Sequence, residues 1–296
     1  MSASESPTRD PDPIQGTQAA PRSDSGDRES YLHGFTETEA QRLYHQARFI
    51  EHRIHEGLPL TRARQLLEVG CGVGAQTEIL LRRYPDLHVT GVDRSPDNLA
   101  RAKQHLTGLS WAHGRWAHAV GDGGNLDFDS NQFDSAFLCW ILEHVPDPMR
   151  VLGEVRRCLQ PGSPIAITEV QNMSFFVDPY SPNLHAYWLA FNDYQLELGG
   201  DPFVGAKLGN LLQAVGYRDI ATRVKTIHLD NRTPGERAEF LAFWSDLLLS
   251  GAAGLLEAGR TTQEVVDGMR DELKQVSRNP NAVFFYAFVQ ATARVW

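Results

Sequence analysis

Cysteine is scarce: Cys71, Cys139 and Cys158 are the three in 296 residues, and they are widely spaced. An odd, scattered set excludes a disulfide framework as the source of stability. Dense basic runs are missing too. The 28 Lys and Arg are outweighed by 37 Asp and Glu, for a net charge of −9. No segment concentrates the cations that a phosphate backbone requires, so nucleic acid is not an expected partner. No stretch approaches the roughly 20 apolar residues of a membrane span, and the first residues hold no apolar signal-peptide core. These absences lead to the expectation of a cytoplasmic protein with no membrane partner. A metal-binding pattern is lacking as well. His52 and His55, flanked by Glu51 and Glu56, sit three apart on a charged helical stretch with no third ligand in register. They read as a solvated face, and no metal is expected.

What is present is the material of an ordinary globular fold: 42% hydrophobic and 22% charged residues, with length for one large domain or one and a half. Residues 1–30, rich in Ser, Pro, Asp and Arg, have almost nothing to bury and read as a disordered tail. Residues 31–60 read as a helical N-terminal cap. Thr36 and Glu39 form a capping box there, followed by Leu43, Ala47, Ile50 and Ile54 at helical spacing before Gly57.

From residue 61 to 170 strand-like and helical runs alternate. Strands are expected at Gln65–Val69, Leu87–Val92, Trp116–Val120, Phe133–Trp140 and Pro164–Val170. One helix opens at Ser95 with Pro96 at its first position, and another runs from Asp147 to the turn "LQPG". Such alternation gives an α/β fold with a doubly wound parallel sheet. Val204–Val215 reads as a further helix ended by Gly216, Ile220–Leu229 as a strand, and "AVFFYAFVQATARV" as a closing strand. Two segments interrupt the rhythm: 171–203, rich in aromatic and amide residues, and 233–277, which reads as two helices, one apolar and one charged. The latter is a helical insertion within 204–296, where the sheet is completed.

The sequence "QLLEVGCGVGAQTEIL" carries the first chemical signal. Gly70, Gly72 and Ala75 satisfy the dinucleotide pattern G-x-G-x-x-G/A, which would make the chain an NAD-dependent oxidoreductase. Glu68, Gly70, Gly72 and Gly74 also satisfy the acidic E/D-x-G-x-G-x-G loop of methyltransferases that use S-adenosylmethionine. Asp93, 19 residues past Gly74, suits either, because a carboxylate accepts two ribose hydroxyls side by side. Four features separate the two. Glu68 would face a pyrophosphate unfavourably. "GDGGNLDF" follows the third strand, "FDSAFLCWILEHVPDP" with "LQPGSPIAITEV" follows in order, and the first strand lies behind a helical segment.

In these residues the chain resembles the class I S-adenosylmethionine-dependent methyltransferases, in the small-molecule branch that includes quinone and bacterial natural-product enzymes. The likeness is strong over residues 61–170 and weaker beyond, where "GAKLGNLLQAVGY" looks like the helix before the sixth strand. It implies a Rossmann-like, seven-stranded sheet whose last strand is antiparallel, with helical insertions, and S-adenosylmethionine as cofactor. It also implies that Gly70, Cys71, Gly72 and Gly74 close over the methionine end, with Glu68 engaging that end or its water shell. Asp93 would hold the ribose beside Arg94, and Asp122 and Gly123 would read the adenine edge. The backbone of Cys139 would approach the methionine amino group, and Tyr31 would close the site. Gly123-Gly124 departs from the more usual Ala and acid. The alternative for Asp122 is a local Asx cap.

Residues 171–203 are expected to form a lid over the methyl acceptor, with Phe176, Tyr180, Tyr187, Phe191 and Tyr194 in contact with it and Trp140 joining from the fourth strand. The competing reading is that alternate aromatics only pack the lid. His144 is the candidate general base, since an imidazole of near-neutral pKa can take a proton from a hydroxyl; the alternative is a helix-start role. A small, partly apolar acceptor, a secondary metabolite or quinone-like molecule, is the expected substrate, with O, N or C methylation left open. A non-catalytic cofactor-binding scaffold is the third alternative. The 233–277 helices and the Tyr31 segment offer surfaces for a homodimer or larger homo-oligomer.

Overall fold

The computed structural model describes residues 37–296; Tyr31 and Thr36 lie outside them. The fold is built on an eight-stranded mixed sheet. Its strands are β1 (Gln65–Val69), β2 (His88–Asp93), β3 (Trp116–Val120), β4 (Ser135–Cys139), β5 (Pro164–Val170), β6 (Phe176–Asp178), β7 (Arg218–Leu229) and β8 (Val283–Arg294). The helices are α1 (Glu37–Phe49), α2 (Glu51–His55), α3 (Ala75–Arg83), α4 (Pro96–Thr107), α5 (Pro148–Cys158), α6 (Pro182–Glu197), α7 (Leu208–Val215), α8 (Pro234–Ser250), α9 (Ala252–Glu257) and α10 (Gln263–Arg278).

Strands run in the order β3-β2-β1-β4-β5-β8. The first five are mutually parallel, and β8 is antiparallel to β5 and to β7. Thr292 of β8 faces Ala166 of β5 on one edge and Ala221 of β7 on the other. The expected seven strands become eight because β6 continues the β5 edge, pairing Phe176–Asp178 with Phe285–Val283. A three-residue strand inside an aromatic loop has too little periodicity to be read from sequence.

The central strands β1, β4 and β5 bury both faces, which is why they read as near-continuous apolar runs, while β3 and β7 are more exposed. Successive residues alternate sides. Leu66, Phe137 and Ala166 pack with α3, α6, α8 and α10, while Leu67, Leu138, Ile165 and Ile167 pack with α5 and α7. Ser95 caps α4 by accepting from Asn98 N, and Asp147 caps α5 by accepting from Arg150 N, each with proline following.

Several expectations are corrected. The N-terminal helix breaks at Ile50 into α1 and α2, and His55 is not solvated: it is 3% exposed and lies against Phe137, with ring centroids 5.4 Å apart. The segment 233–277 forms three helices, because the apolar one ends at Gly251. By length and composition Pro234–Glu257 is apolar enough to cross a membrane. In the fold it is α8 and α9, with Phe240, Leu241, Trp244 and Leu248 buried in the core.

Candidate active site

The strand order reverses between β1 and β4, and a crevice opens at the carboxyl ends of the strands on either side of that switch. A cavity of about 540 Å³ occupies it. Its floor is the set of turns that leave each strand: Gly70–Gly72 after β1, Asp93 and Arg94 after β2, Gly121–Gly124 after β3, Cys139–Ile141 after β4, and Val170 and Asn172 after β5.

The glycine turn is shaped by left-handed backbone. Gly70 has φ +75°, Gly72 +52° and Gly74 +80°, a region where a Cβ is unfavourable. At Gly70 an added Cβ would stand 2.8 Å from Ile141, whereas at Gly72 nothing lies within 4 Å. The turn therefore packs tightly on one side and leaves room for a ligand on the other. Gly72 N donates to Asp93 Oδ2 (2.8 Å) and Ser95 N to Asp93 Oδ1 (2.9 Å). These bonds fix the carboxylate at the cavity wall and oppose the effect of burial, which pushes its pKa up. Each oxygen keeps acceptor capacity for a ribose hydroxyl. The donor set and the open side of Gly72 thus fit a nucleoside carrying an amino-acid tail.

Asp122 also lines the cavity, and its Oδ1 accepts from Gly124 N at 2.8 Å. The local cap is present, then, together with a position on the cavity. Gly123 sits where a Cβ would be 2.9 Å from Val69, so the loop's close approach needs glycine. Arg150 Nε donates to Gly124 O (2.7 Å) and ties α5 to this loop.

Glu68 stands behind the cavity wall. It is 2% exposed, accepts from Thr77 Oγ1 at 2.6 Å, and is not among the cavity-lining residues. Burial, with Asp93 nearby, pushes its pKa up to about 8 despite the Thr77 bond. Its carboxyl braces β1 against α3 from beneath the turn. Cys71 and Cys139 line the cavity, and burial raises both thiols, so neither is a thiolate nucleophile.

His144 closes a 3₁₀ turn at Leu142–His144 and lines the cavity. A residue missed in sequence holds that turn. Glu169, fully buried at the end of β5, accepts from Ile141 N (3.0 Å) and Leu142 N (2.8 Å). Gln195 Nε2 and Asp201 N grip Glu143 from the lid side. Burial lowers the His144 pKa, with Glu143 opposing and Arg94 and Arg42 reinforcing, so the imidazole is neutral at pH 7.

The lid is only partly as expected. Phe191 and Trp140 line the cavity, and so does Trp188. Phe176 and Tyr180 are 51% and 75% exposed and lie outside it. Tyr187 is fully buried, its hydroxyl donating to Leu248 O (2.5 Å), and Tyr194 packs at the core's edge. Helical spacing explains the sorting. Leu184, Trp188, Phe191 and Gln195 share the buried face of α6.

The remaining walls were not anticipated. α1 contributes Arg42, Leu43, Gln46 and Ala47, anchored to the glycine turn by Tyr44 Oη donating to Val73 O (2.7 Å). Gln76 lines the cavity with its Oε1 2.7 Å from His55 Nε2. α8 supplies Phe240, Phe243, Trp244 and Leu247, and β8 supplies Tyr286 and Phe288. The apolar helix signal was visible, but not what it would face. A buried amide network stiffens this end: Tyr286 Oη donates to Asn172 Oδ1 (2.8 Å), and Asn172 Nδ2 to Asn192 Oδ1 (2.7 Å).

Comparison with known proteins agrees with this geometry. Residues 67–167 match the family model described as a methyltransferase domain. A trans-aconitate 2-methyltransferase of Rhodopseudomonas palustris is 33% identical over 116 residues, 39% of this chain and 42% of that protein. A sterol 24-C-methyltransferase of Neurospora crassa is 29% identical over 40% of this chain and 31% of that protein. The match thus spans less than half the length of these relatives. Phosphoethanolamine N-methyltransferase 2 of Haemonchus contortus, solved with S-adenosyl-L-methionine, superposes with a TM-score of 0.51 at 19% identity, over 85% of this chain and 52% of that one. Residues 67–167 thus match a methyltransferase domain, and the strand order and the glycine turn give the chain the fold of the methyltransferases it superposes on.

Proposed function

We propose that this chain transfers a methyl group from S-adenosylmethionine to an O, N or C atom of a small, partly apolar molecule, of the secondary-metabolite or quinone-like kind. The observation that carries the reading is the continuity of one cavity from the glycine turn and Asp93 to the aromatic walls of α6, α8 and β8. The cofactor supplies an activated methyl group on a sulfonium. The protein is left to align the acceptor, exclude water and accept a proton where the acceptor has one to lose. Asp93 would fix the ribose, and Asp122 with Gly123 the adenine edge. Trp188 and Phe191 would shield the reacting atoms. For a hydroxyl acceptor, His144, neutral and lining the same cavity, would take the proton.

The test is a calorimetric titration with S-adenosylhomocysteine, run also on Asp93→Ala and with NADH as control. Micromolar binding that is lost in Asp93→Ala is expected. Preference for NADH, or no binding by a folded protein, would refute the assignment of the glycine turn.

A further inference from the structure

The walls contributed by α6, β7, α8 and β8 hold no charged side chain: they are Trp, Phe, Tyr, Ile and Leu. The cavity's cations, Arg42, Arg94 and Arg150, stand on α1 and on the turns and helix of the cofactor side. Among the described residues those four elements offer an acceptor with several carboxylates no cation, so its desolvation against them would go uncompensated. This sets the chain apart from what the name of its trans-aconitate relatives says of them.

Two polar groups stand out in that apolar wall. The indole N–H groups of Trp140 and Trp244 are buried with no hydrogen-bond partner among the described residues. Trp140 packs edge-on to Phe288, with centroids 6.3 Å apart, and Trp244 packs on Tyr286 at 5.0 Å. Tyr286 and Phe288 are two apart on β8 and share one face, so the two indoles stand along the same wall. Buried Trp N–H groups ordinarily find a partner. Trp140 is also held at φ +55°, an uncommon conformation for an aromatic residue, of the kind that concentrates at functional sites. Both residues line the cavity, and a ring would have to turn toward it for its N–H to reach an acceptor atom.

Resting on the methyltransferase reading, we infer that the acceptor is an uncharged, flat, largely aromatic molecule bearing a carbonyl-type oxygen, and that the N–H groups of Trp140 and Trp244 select it. The aromatic faces would supply affinity, and the indole donors would reject analogues lacking the oxygen, since these leave a buried donor unmet.

The experiment is calorimetry on the full chain saturated with S-adenosylhomocysteine, using three probes: 1-tetralone, its carbonyl-free counterpart tetralin, and trans-aconitate. The expected result is that 1-tetralone binds about tenfold more tightly than tetralin, and that trans-aconitate does not compete. In Trp244→Phe, which keeps the ring and removes the N–H, the ketone advantage should shrink while S-adenosylhomocysteine affinity is retained. Trp140→Phe tests the second donor, and the two together should abolish the advantage. Equal binding of ketone and hydrocarbon, an advantage that survives both substitutions, tighter binding of trans-aconitate, or no probe bound by cofactor-saturated protein would each overturn the inference. Failure of S-adenosylhomocysteine itself to bind would remove the methyltransferase reading beneath it, and the two failures are told apart by that first titration.

Discussion

Glu68→Gln should stabilise this protein, and by an amount that depends on pH. Glu68 is 2% exposed on β1, where it accepts from Thr77 Oγ1 at 2.6 Å, and burial moves its pKa from 4.5 up to about 8. In the unfolded chain the carboxyl loses its proton near its ordinary value, while in the native state it keeps it. Between pH 4.5 and 8 the native state thus binds more protons than the unfolded one, and wild-type stability falls as pH rises through that window. Each pH unit amounts to about 1.4 kcal/mol, so the cost reaches ~3 kcal/mol at pH 7 and levels off near ~5 kcal/mol above pH 8. Glutamine is neutral throughout and retains an oxygen to accept from Thr77. The variant should match wild type at pH 4, gain steadily to pH 8, and at pH 7 melt on the order of 5–10 °C higher. Urea unfolding of both proteins at pH 4, 5.5, 7 and 8.5 measures this directly. A difference that does not change with pH, or a variant less stable than wild type at pH 7, would refute the argument that Glu68 is a protonated brace.

Other expectations follow from single contacts. Gly70→Ala combines φ +75° with a Cβ 2.8 Å from Ile141; thermal denaturation should show a loss of ~2–4 kcal/mol from backbone strain and overpacking, with weakened S-adenosylhomocysteine binding. Tyr187→Phe removes one donor from Leu248 O, which keeps the Gly251 N–H, and should cost about 0.5–1.5 kcal/mol in chemical unfolding. Tyr180→Phe, at a side chain 75% exposed and off the cavity, should stay within ~0.5 kcal/mol of wild type. If His144 is the base, kcat/KM for a hydroxyl acceptor should be flat above pH 6.5 and fall only below it, because burial lowers its pKa from 6.5. His144→Asn should then lower kcat far more than it changes KM; a pH profile still rising above 7 would count against the role.

Much of the fold is legible in the chain because its cues are local. β1, β3 and β5 occupy the residues their apolar runs mark, and the caps Ser95 and Asp147 start α4 and α5 as their side chains require. The glycine turn is equally legible, since left-handed backbone at three alternate positions leaves a spelling that few other structures need. What periodicity does not encode is the partner across a packed face. The apolar character of α8 is evident, yet only the tertiary structure decides that it packs on β8 and walls the cavity with it. His55 and Glu169 look like solvent-facing or incidental polar residues until the sheet closes over them, one against Phe137 and Gln76, the other capping the turn that carries His144. The aromatics of 171–203 likewise look alike along the chain, and the rotation of α6 sorts Trp188 and Phe191 inward and leaves Tyr180, ahead of it, in solvent. Sequence determined the parallel strands and the glycine turn, because each is written within a few residues; the aromatic chamber was decided by contacts between residues more than a hundred positions apart, such as Trp140 with Phe288 and Asn172 with Tyr286.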